Sequence, residues 1–407
     1  MKEFTSSFPY LRENPNVVYF DNAATSLKPQ IVIDAEKEYL EKIAANPHTL
    51  DYGNAFRAWE VLDITRNKAL QFLKSPDNSQ VIFTSGTTHS LNQVAFGLQN
   101  MIEPGDEILT TTLEHSSTLL PFLEVSRRNK ALIKLLPLQN DGRIQMDEIA
   151  NQITKKTKLV AFASSTNVLG GFNDVEKIVK AIRKVNPEII VVIDAAQSIA
   201  HEVTDLKKWD ADLVAFSAHK VFGPFGVGVL WGKTKILEKL VPIFYGGGMS
   251  GQVEGDLSSF ELQELPARLE GGTPNISGIY GFSKALDFIE AIGFENIVAK
   301  ENELKEYAIQ KAKQIPHDLA TFYNLDNNSP ILTFNIRDYN PQDIATFFWV
   351  KYGIQVRSGS HCARIVKNQN IPPITVRASF SFFNTKEEID KLFEAIKNSD
   401  NFLEAIL

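Results

Sequence analysis

The chain has 407 residues, of which 43% are hydrophobic and 22% charged, and its formal net charge is −7. This is the composition of an ordinary globular protein, long enough for two lobes, and it argues against disorder. The mild acidity provides no basic surface for nucleic acid and no polybasic patch for a membrane.

Three features bear on cellular location. There is no run of about 18 apolar residues, so no transmembrane helix is expected. The segment Met1–Pro9 lacks the positive-then-apolar pattern of a signal peptide. The single cysteine cannot form an internal disulfide, which excludes the secreted disulfide-rich class. We therefore expect a cytoplasmic protein.

Short apolar runs alternate with longer amphipathic stretches from about residue 80 to 235. The expected strands are 81–84, 107–111, 132–136, 159–163, 189–193, 213–216 and 227–231. Alternation of strands and helices with almost continuously apolar strands is typical of a mainly parallel sheet covered on both faces. The sequence therefore predicts an α/β large domain with a seven-stranded sheet.

The remainder of the chain predicts a smaller α/β domain. Segment 245–275 is rich in glycine and polar residues and is interpreted as a loop-rich excursion. It is followed by a long helix near 277–316, strands at 331–336, 354–357 and 374–379, and a closing helix at 385–397 in a βαβ-like tail. We expect a large domain over 20–265, an interlobe segment 266–279, and a small domain formed by 1–19 and 280–407.

A lysine and an aspartate at the ends of two expected strands indicate the chemistry. Lys220 closes the tetrapeptide Ser217-Ala218-His219-Lys220 after an apolar run, a position that suits a Schiff base to a cofactor aldehyde. Upstream, Asp194 ends another apolar strand and is followed by Gln197. A carboxylate against a pyridinium nitrogen keeps the ring protonated as an electron sink. This pair predicts a pyridoxal-phosphate enzyme, and no metal site is expected.

A phosphate site is expected where an amphipathic helix begins near residue 88. Thr87 and Thr88 follow strand 81–84, where free backbone N–H groups, hydroxyls and the positive end of the helix dipole suit a phosphate. The alternative is a simple N-cap of the helix. The lysine and aspartate motifs favour the phosphate.

His115 and Asn167 are candidates on two other loops that follow strands. His115 could stack on the cofactor ring and exchange protons with substrate, or it could be structural. Asn167 could donate to the cofactor's phenolic oxygen or to substrate, or it could serve ordinary turn chemistry.

Two residues near the carboxyl end are candidates for handling substrate. Cys362 lies in a polar, glycine-containing loop, where His361 and Arg357 could favour the thiolate; the alternative is a small buried hydrophobe. The planar guanidinium of Arg377 can bind an α-carboxylate through two hydrogen bonds; alternatively, Arg377 could form a surface ion pair.

Taken together, these motifs resemble class V aminotransferase-fold enzymes, and most closely the SufS-type (group II) cysteine desulfurases. The resemblance covers nearly the whole chain, through 19–25, 85–88, 114–115, 194–197, 217–220, 271–275, 357–363 and 377–379. Two departures are Ser360, where the family commonly has a further histidine, and Ala44–Pro47, where an arginine is usual.

The resemblance implies pyridoxal-phosphate fold type I and a homodimer with a shared active site. It implies that Lys220 is the Schiff-base lysine, Asp194 the pyridinium partner and His115 the stacking acid–base group. The implied cofactor contacts are Thr87, Thr88, His115, Asn167, Asp194, Gln197, Ser217, His219 and Lys220, with Thr273 reaching the phosphate of the neighbouring subunit. The implied substrate contacts are Arg377, Asn167, Arg357 and His361, and Cys362 accepts the sulfur.

The expected activity is conversion of L-cysteine to L-alanine, with sulfur left on Cys362 as a persulfide for an acceptor or scaffold protein in iron–sulfur cluster or thio-cofactor synthesis. Selenocysteine lyase and cysteine-sulfinate desulfinase activities are alternatives on the same scaffold. A non-catalytic binding subunit of sulfur machinery is a third, which the presence of Lys220, Asp194 and Cys362 disfavours.

Overall fold

The structure, a computed structural model, describes residues 2–327, 329–363 and 371–402. The strands are β1 (Val18–Tyr19), β2 (Ser79–Thr84), β3 (Glu107–Thr110), β4 (Leu132–Leu135), β5 (Thr157–Ala163), β6 (Ile190–Asp194), β7 (Leu213–Ser217), β8 (Gly228–Lys233), β9 (Ser250–Val253), β10 (Phe260–Leu262), β11 (Ala320–Phe322), β12 (Ile331–Ile336), β13 (Ile354–Gln355), β14 (Arg357–Gly359) and β15 (Thr375–Ser379). The α-helices are α1 (Lys2–Thr5), α2 (Pro9–Glu13), α3 (Gln30–Glu38), α4 (Gly53–Phe72), α5 (Thr87–Gly97), α6 (Ser116–Asn129), α7 (Ile149–Gln152), α8 (Val175–Val185), α9 (Leu206–Trp209), α10 (Thr234–Leu237), α11 (Ile276–Ile292), α12 (Phe294–Ala312), α13 (Pro341–Tyr352) and α14 (Lys386–Lys397).

The central sheet has seven strands in the order β2-β8-β7-β6-β5-β3-β4. Strand β8 pairs antiparallel with both of its neighbours, whereas the pairs from β7 to β4 are all parallel. Each of the seven apolar runs in the sequence falls on one of these strands. The predicted α/β fold with a mainly parallel seven-stranded sheet is confirmed.

Both faces of this sheet are covered, which explains its continuously apolar strands. In β6, Ile190 and Val192 join a core cluster with α5 and α6, while Val191 and Ile193 join the opposite cluster with α4, α8 and α11. Because successive side chains of a strand point to opposite faces, covering both faces requires apolar residues at every position.

A second sheet has the order β11-β12-β15-β14, with antiparallel neighbours throughout. Strands β12 and β14 flank β15 and are therefore parallel to each other, joined through α13, so the βαβ-like tail is a split unit with β15 inserted. Helices α12, α13 and α14 contribute Leu304, Phe348 and Leu392 to its core. The amino-terminal arm joins this part through β1, which pairs with β13. The exact domain limits stay a prediction.

Three local features differ from the sequence expectation. The long helix expected near 277–316 is two helices, because Gly293 takes a left-handed φ of 82° between α11 and α12. The loop-rich segment 245–275 contains the antiparallel hairpin β9–β10. The strand expected at 354–357 is interrupted at Val356, between β13 and β14. Among the described residues, no helix is long and apolar enough to cross a membrane.

The close approach of β8 to the start of α5 gives a stability prediction. A Cβ on Gly228 would lie 2.5 Å from the backbone nitrogen of Gly86, whereas a Cβ on Gly247 would have no atom within 4 Å. Because backbone atoms cannot move aside cheaply, we expect Gly228→Ala to lower the free energy of unfolding by about 1–3 kcal/mol. Gly247→Ala is the matched control, and denaturant titration of both variants is the measurement. Equal stability of the two variants would contradict the close approach.

Candidate active site

A cavity of about 290 Å³ lies where β5, β6 and β7 end, and Ala163, Asp194 and Ser217, the last residues of those strands, line it. Carboxyl ends of parallel strands meet at one edge of a sheet, which is where α/β proteins bind ligands. The cavity brings together nearly all of the candidate residues: Thr87, Thr88, His115, Asn167, Asp194, Gln197, Ser217, His219, Lys220, Arg357, His361, Cys362 and Arg377.

Thr273 is the one candidate residue that does not line this cavity. Its hydroxyl accepts a hydrogen bond from Asn46 Nδ2 at 3.1 Å, in the segment just before α11. The implied contact of Thr273 is with a neighbouring subunit, so its role stays a prediction.

Lys220 ends a short turn, Ala218–Lys220, that follows β7. Its Nζ donates to the backbone oxygen of Ala23 at 2.9 Å. Burial and, after it, the positive charge of Arg377 together lower the pKa of Lys220 to about 8. The amine is therefore closer to its neutral, nucleophilic form at neutral pH than an ordinary lysine.

Asp194 ends β6 and is almost completely buried. Its Oδ2 accepts from the hydroxyl of Thr118 at 2.8 Å, and its Oδ1 accepts from the backbone N–H of Ala196 at 2.9 Å. These contacts fix the carboxylate towards the cavity. Gln197, three residues after Asp194, donates through Nε2 to the backbone oxygen of Ala23 at 2.9 Å, so it shares this acceptor with Lys220.

Hydroxyl groups surround the first turn of α5. The backbone N–H of Thr87 donates to Ser217 Oγ at 2.7 Å, and the Thr87 hydroxyl lies 2.7 Å from the same atom. The Thr88 hydroxyl is paired with Ser117 at 2.7 Å. Helix α5 has 11 residues, and its N-terminus carries a partial positive charge. This end of the cavity suits an anion such as a phosphate.

Two histidines, His115 and His219, also line the cavity. His115 is the N-cap of α6, with its Nδ1 accepting from the backbone N–H of Ser117 at 3.1 Å. His219 stacks on Phe225 with ring centroids 5.4 Å apart. Burial lowers the pKa of His115 and lowers that of His219 to about 4, so both rings are predominantly neutral at neutral pH.

Arg377 is fully buried at the far side of the cavity, and burial lowers its pKa to about 10. One Nη donates to the backbone oxygen of Asn167 at 2.7 Å, and another lies 3.6 Å from Asp21. Its Nε has no hydrogen-bond partner among the described residues. Arg357 forms a two-pronged ion pair with the same Asp21, from Nε at 3.1 Å and from Nη2 at 2.8 Å.

Cys362 is exposed at the mouth of the cavity, in a segment whose backbone is unusual. His361 and Cys362 both have left-handed φ values, 54° and 56°. The carbonyl oxygen of Cys362 accepts from Ser116 twice, from N–H at 2.9 Å and from the hydroxyl at 2.7 Å. Asn167 Nδ2 donates to the carbonyl of His361 at 2.5 Å. The alternative of a buried hydrophobic cysteine is therefore wrong.

The surroundings of His361 do not favour a positive charge on its ring beside the thiol. Its ring is buried and its Nε2 is paired with the hydroxyl of Thr375 at 2.8 Å. Burial, followed by the charges of Arg377 and Arg357, lowers the pKa of His361 to about 3, so the ring is neutral. The positive charges near the thiol belong to the two arginines.

Sequence reasoning missed two carboxyl groups. Asp21 lies in the 19–25 motif, two residues after the end of β1, but its pairing with two arginines depends on strands far along the chain. Glu114 precedes His115 and is fully buried, with Oε1 accepting from Thr111 at 2.7 Å. Burial raises the pKa of Glu114 to about 8, so it is mainly neutral and adds little negative charge beside Asp194.

Comparisons with known proteins find similar chains that are named cysteine desulfurases. A protein of Ureaplasma parvum serovar 3 named probable cysteine desulfurase is 38% identical over 398 residues, 98% of this chain and 97% of that protein. A protein of Wigglesworthia glossinidia brevipalpis named cysteine desulfurase is 35% identical over 408 residues, 99% of this chain and 98% of that protein.

Solved structures give the same result. The apo structure of a cysteine desulfurase from Thermococcus onnurineus NA1 matches with a TM-score of 0.89 and 33% identity, over 97% of this chain and 96% of that one. The cysteine desulfurase CsdA from Escherichia coli matches with a TM-score of 0.88 and 32% identity, over 100% and 98%. The sequence profile described as Aminotransferase class-V matches residues 18–392, from the first strand into the last helix, and the chain therefore belongs to the class V aminotransferase family.

Proposed function

We propose that this chain is a pyridoxal-phosphate-dependent cysteine desulfurase, which converts L-cysteine to L-alanine and leaves the sulfur on Cys362 as a persulfide. The observation that carries the proposal is a single cavity lined by Lys220, Asp194, Arg377 and an exposed thiol. The lysine and carboxylate suit the cofactor, the arginine suits an α-carboxylate, and the thiol suits acceptance of sulfur. The names of the relatives support the same activity.

The residues present fit pyridoxal phosphate. Three buried polar atoms on the cavity wall lack partners among the described residues: Asn167 Oδ1, His361 Nδ1 and Arg377 Nε. Since unpaired buried polar atoms are costly, they favour a polar ligand. The start of α5 would hold the phosphate, Asp194 the ring nitrogen and Lys220 the aldehyde carbon. When bound, the cofactor supplies an electron sink for the substrate's α-carbon.

Substrate handling follows from the remaining contacts. Asn167 and Asp21 hold Arg377 through its two Nη atoms, and its unpaired Nε supports binding of an α-carboxylate by this guanidinium. Lys220, with a pKa of about 8, can take a proton from the α-carbon and return one at neutral pH. We propose that Asn167, Arg357 and His361 complete the substrate site.

The sulfur step uses Cys362 as the acceptor. The thiolate sulfur attacks the substrate sulfur, an S–S bond forms, and the C–S bond of the substrate breaks with its electron pair going to carbon. That carbon is protonated to give alanine, so L-cysteine plus one thiol become alanine plus one persulfide. No external oxidant is required, and a reductant or acceptor protein then removes the sulfur.

The assembly and place of action belong to the same proposal. We propose a homodimer in which Thr273 reaches the phosphate bound by the neighbouring subunit, and an acceptor or scaffold protein that receives the sulfur for iron–sulfur cluster or thio-cofactor synthesis. The cytoplasm is the proposed compartment, because its reducing conditions keep a single exposed thiol available for further turnovers.

The direct test is release of alanine and sulfide from L-cysteine, with and without a reductant. The proposal expects one equivalent of alanine per active site without a reductant and continuing release of both products with one. Faster turnover of L-selenocysteine or cysteine sulfinate than of L-cysteine, without formation of a persulfide, would favour the lyase or desulfinase activity. Absence of both turnover and bound cofactor would favour a binding subunit.

Replacing the proposed Schiff-base lysine should abolish turnover. We expect Lys220→Ala to fold but to hold no cofactor that borohydride can fix to the protein, because the lysine is both anchor and proton carrier. Lys158→Ala, which removes an exposed lysine from β5, is the matched control. Peptide mapping after borohydride reduction is the measurement. A reduced adduct on another lysine in Lys220→Ala would disprove the assignment.

The charge of Asp194 should matter more than its hydrogen bonds. Asp194→Asn keeps the size of the side chain but loses the charge that protonates the ring nitrogen, so we expect turnover to fall by orders of magnitude with cofactor still bound. Thr118→Val removes only a donor to this carboxylate and should cost much less. Steady-state kinetics of both variants is the measurement, and near-normal turnover in Asp194→Asn would make Asp194 a structural residue.

Cys362 separates a desulfurase from its alternatives. We expect Cys362→Ser to keep the cofactor but lose alanine production from L-cysteine, while part of its activity on L-selenocysteine remains because the weaker C–Se bond needs no thiol acceptor. Ser360→Ala, in the same segment, is the control. Mass spectrometry of the wild type should show about 32 Da, one sulfur atom, added to the Cys362 peptide. Wild-type desulfuration by Cys362→Ser without any persulfide would disprove the role.

A further inference from the structure

The short turn that carries Lys220 is held from outside by the segment Ala23–Lys28, between β1 and α3. Two residues beyond Lys220, Phe222 adopts a left-handed φ of 62° although it is not a glycine. Such a conformation persists only where the surroundings hold it in place. The turn therefore depends on contacts from other parts of the chain.

Those contacts converge on the carbonyl oxygen of His219. It accepts from Ser26 N–H at 2.9 Å, from the Thr25 hydroxyl at 3.0 Å, from the Ser26 hydroxyl at 3.1 Å and from Lys28 Nζ at 3.1 Å. This oxygen belongs to the peptide group whose nitrogen is that of Lys220. Because a peptide group is planar, fixing its oxygen also fixes the start of Lys220.

Ser26 holds the other side of the turn as well. Its Oγ accepts from the backbone N–H of Phe222 at 2.7 Å while donating towards His219. The serine is 4% exposed, so water cannot readily replace it. One hydroxyl thus bridges residues 219 and 222 around Lys220, and Ala23, in the same segment, accepts from Lys220 Nζ.

We propose that Ser26 is a positioning residue for Lys220, and this inference rests on the proposed function. It touches neither cofactor nor substrate in the proposed scheme; its hydroxyl holds the lysine's backbone so that Nζ meets the reacting carbon. Loss of the hydroxyl leaves the buried N–H of Phe222 without its partner and loosens the turn at the lysine.

The test compares release of the cofactor from Ser26→Ala and from Ser126→Ala. Ser126 is a matched control because it is also buried and its hydroxyl also donates to a backbone oxygen, that of Ala131, at 2.8 Å. Holoprotein is mixed with an excess aldehyde scavenger, and loss of the protein-bound cofactor absorbance is followed. We expect Ser26→Ala to release the cofactor about tenfold faster than the wild type, and Ser126→Ala to match the wild type.

Other outcomes separate this inference from the proposed function. Release at the wild-type rate from Ser26→Ala, or equal acceleration in Ser126→Ala, would overturn the positioning role. If Ser26→Ala does not fold, Thr25→Val, which removes one donor to His219, should still accelerate release, and no acceleration there would overturn it. A wild-type protein without a borohydride-fixed adduct at Lys220 would overturn the proposed function, and this inference with it.

Discussion

The site depends on keeping several ionised side chains together in a partly enclosed cavity. Ions removed from water are stable only when they are paired or hydrogen-bonded. Asp21 meets this requirement for Arg357 and Arg377, and Asp194 is held by a hydroxyl and a backbone N–H. With Lys220, these side chains comprise three basic groups and two carboxylates. The excess positive charge favours anionic ligands, as a phosphate and an α-carboxylate both are.

This arrangement makes the two sheets interdependent. The large sheet supplies Lys220 and Asp194 at its strand ends, whereas Arg357 and Arg377 lie on paired positions of β14 and β15 in the second sheet. Asp21 belongs to the amino-terminal segment, outside both sheets, and forms ion pairs with the two arginines. An unfolded second sheet would leave the large sheet with half of a site, so the cavity and the tertiary fold must form together.

Features that depend on residues close together in the sequence could be predicted, whereas features that depend on contacts between distant residues could not. Apolar runs and polar strand ends are local, so the seven strands, Lys220 and Asp194 could be read from the sequence. The pairing of Asp21 with two arginines could not, because it depends on which strands become neighbours more than 300 positions away along the chain. Nor could the orientation of His361, since left-handed φ values at a histidine and a cysteine have no sequence signature comparable to that of glycine. The break between α11 and α12 does have a sequence signal, the glycine at 293, but the apolar residues at helical spacing on both sides of it favoured a single helix.

The anchoring of the Cys362 backbone has a consequence for the proposed release of sulfur. Its carbonyl is fastened twice to Ser116 at the start of α6, and the next residue, Ala363, donates to the carbonyl of Ser360 at 3.0 Å. With the backbone fastened on this side, the sulfur atom moves chiefly by rotation about the Cα–Cβ bond. Such a rotation displaces the sulfur atom only a short distance at the mouth of the cavity. Under the proposed function, an acceptor protein therefore has to bring its own nucleophile to the mouth of the cavity.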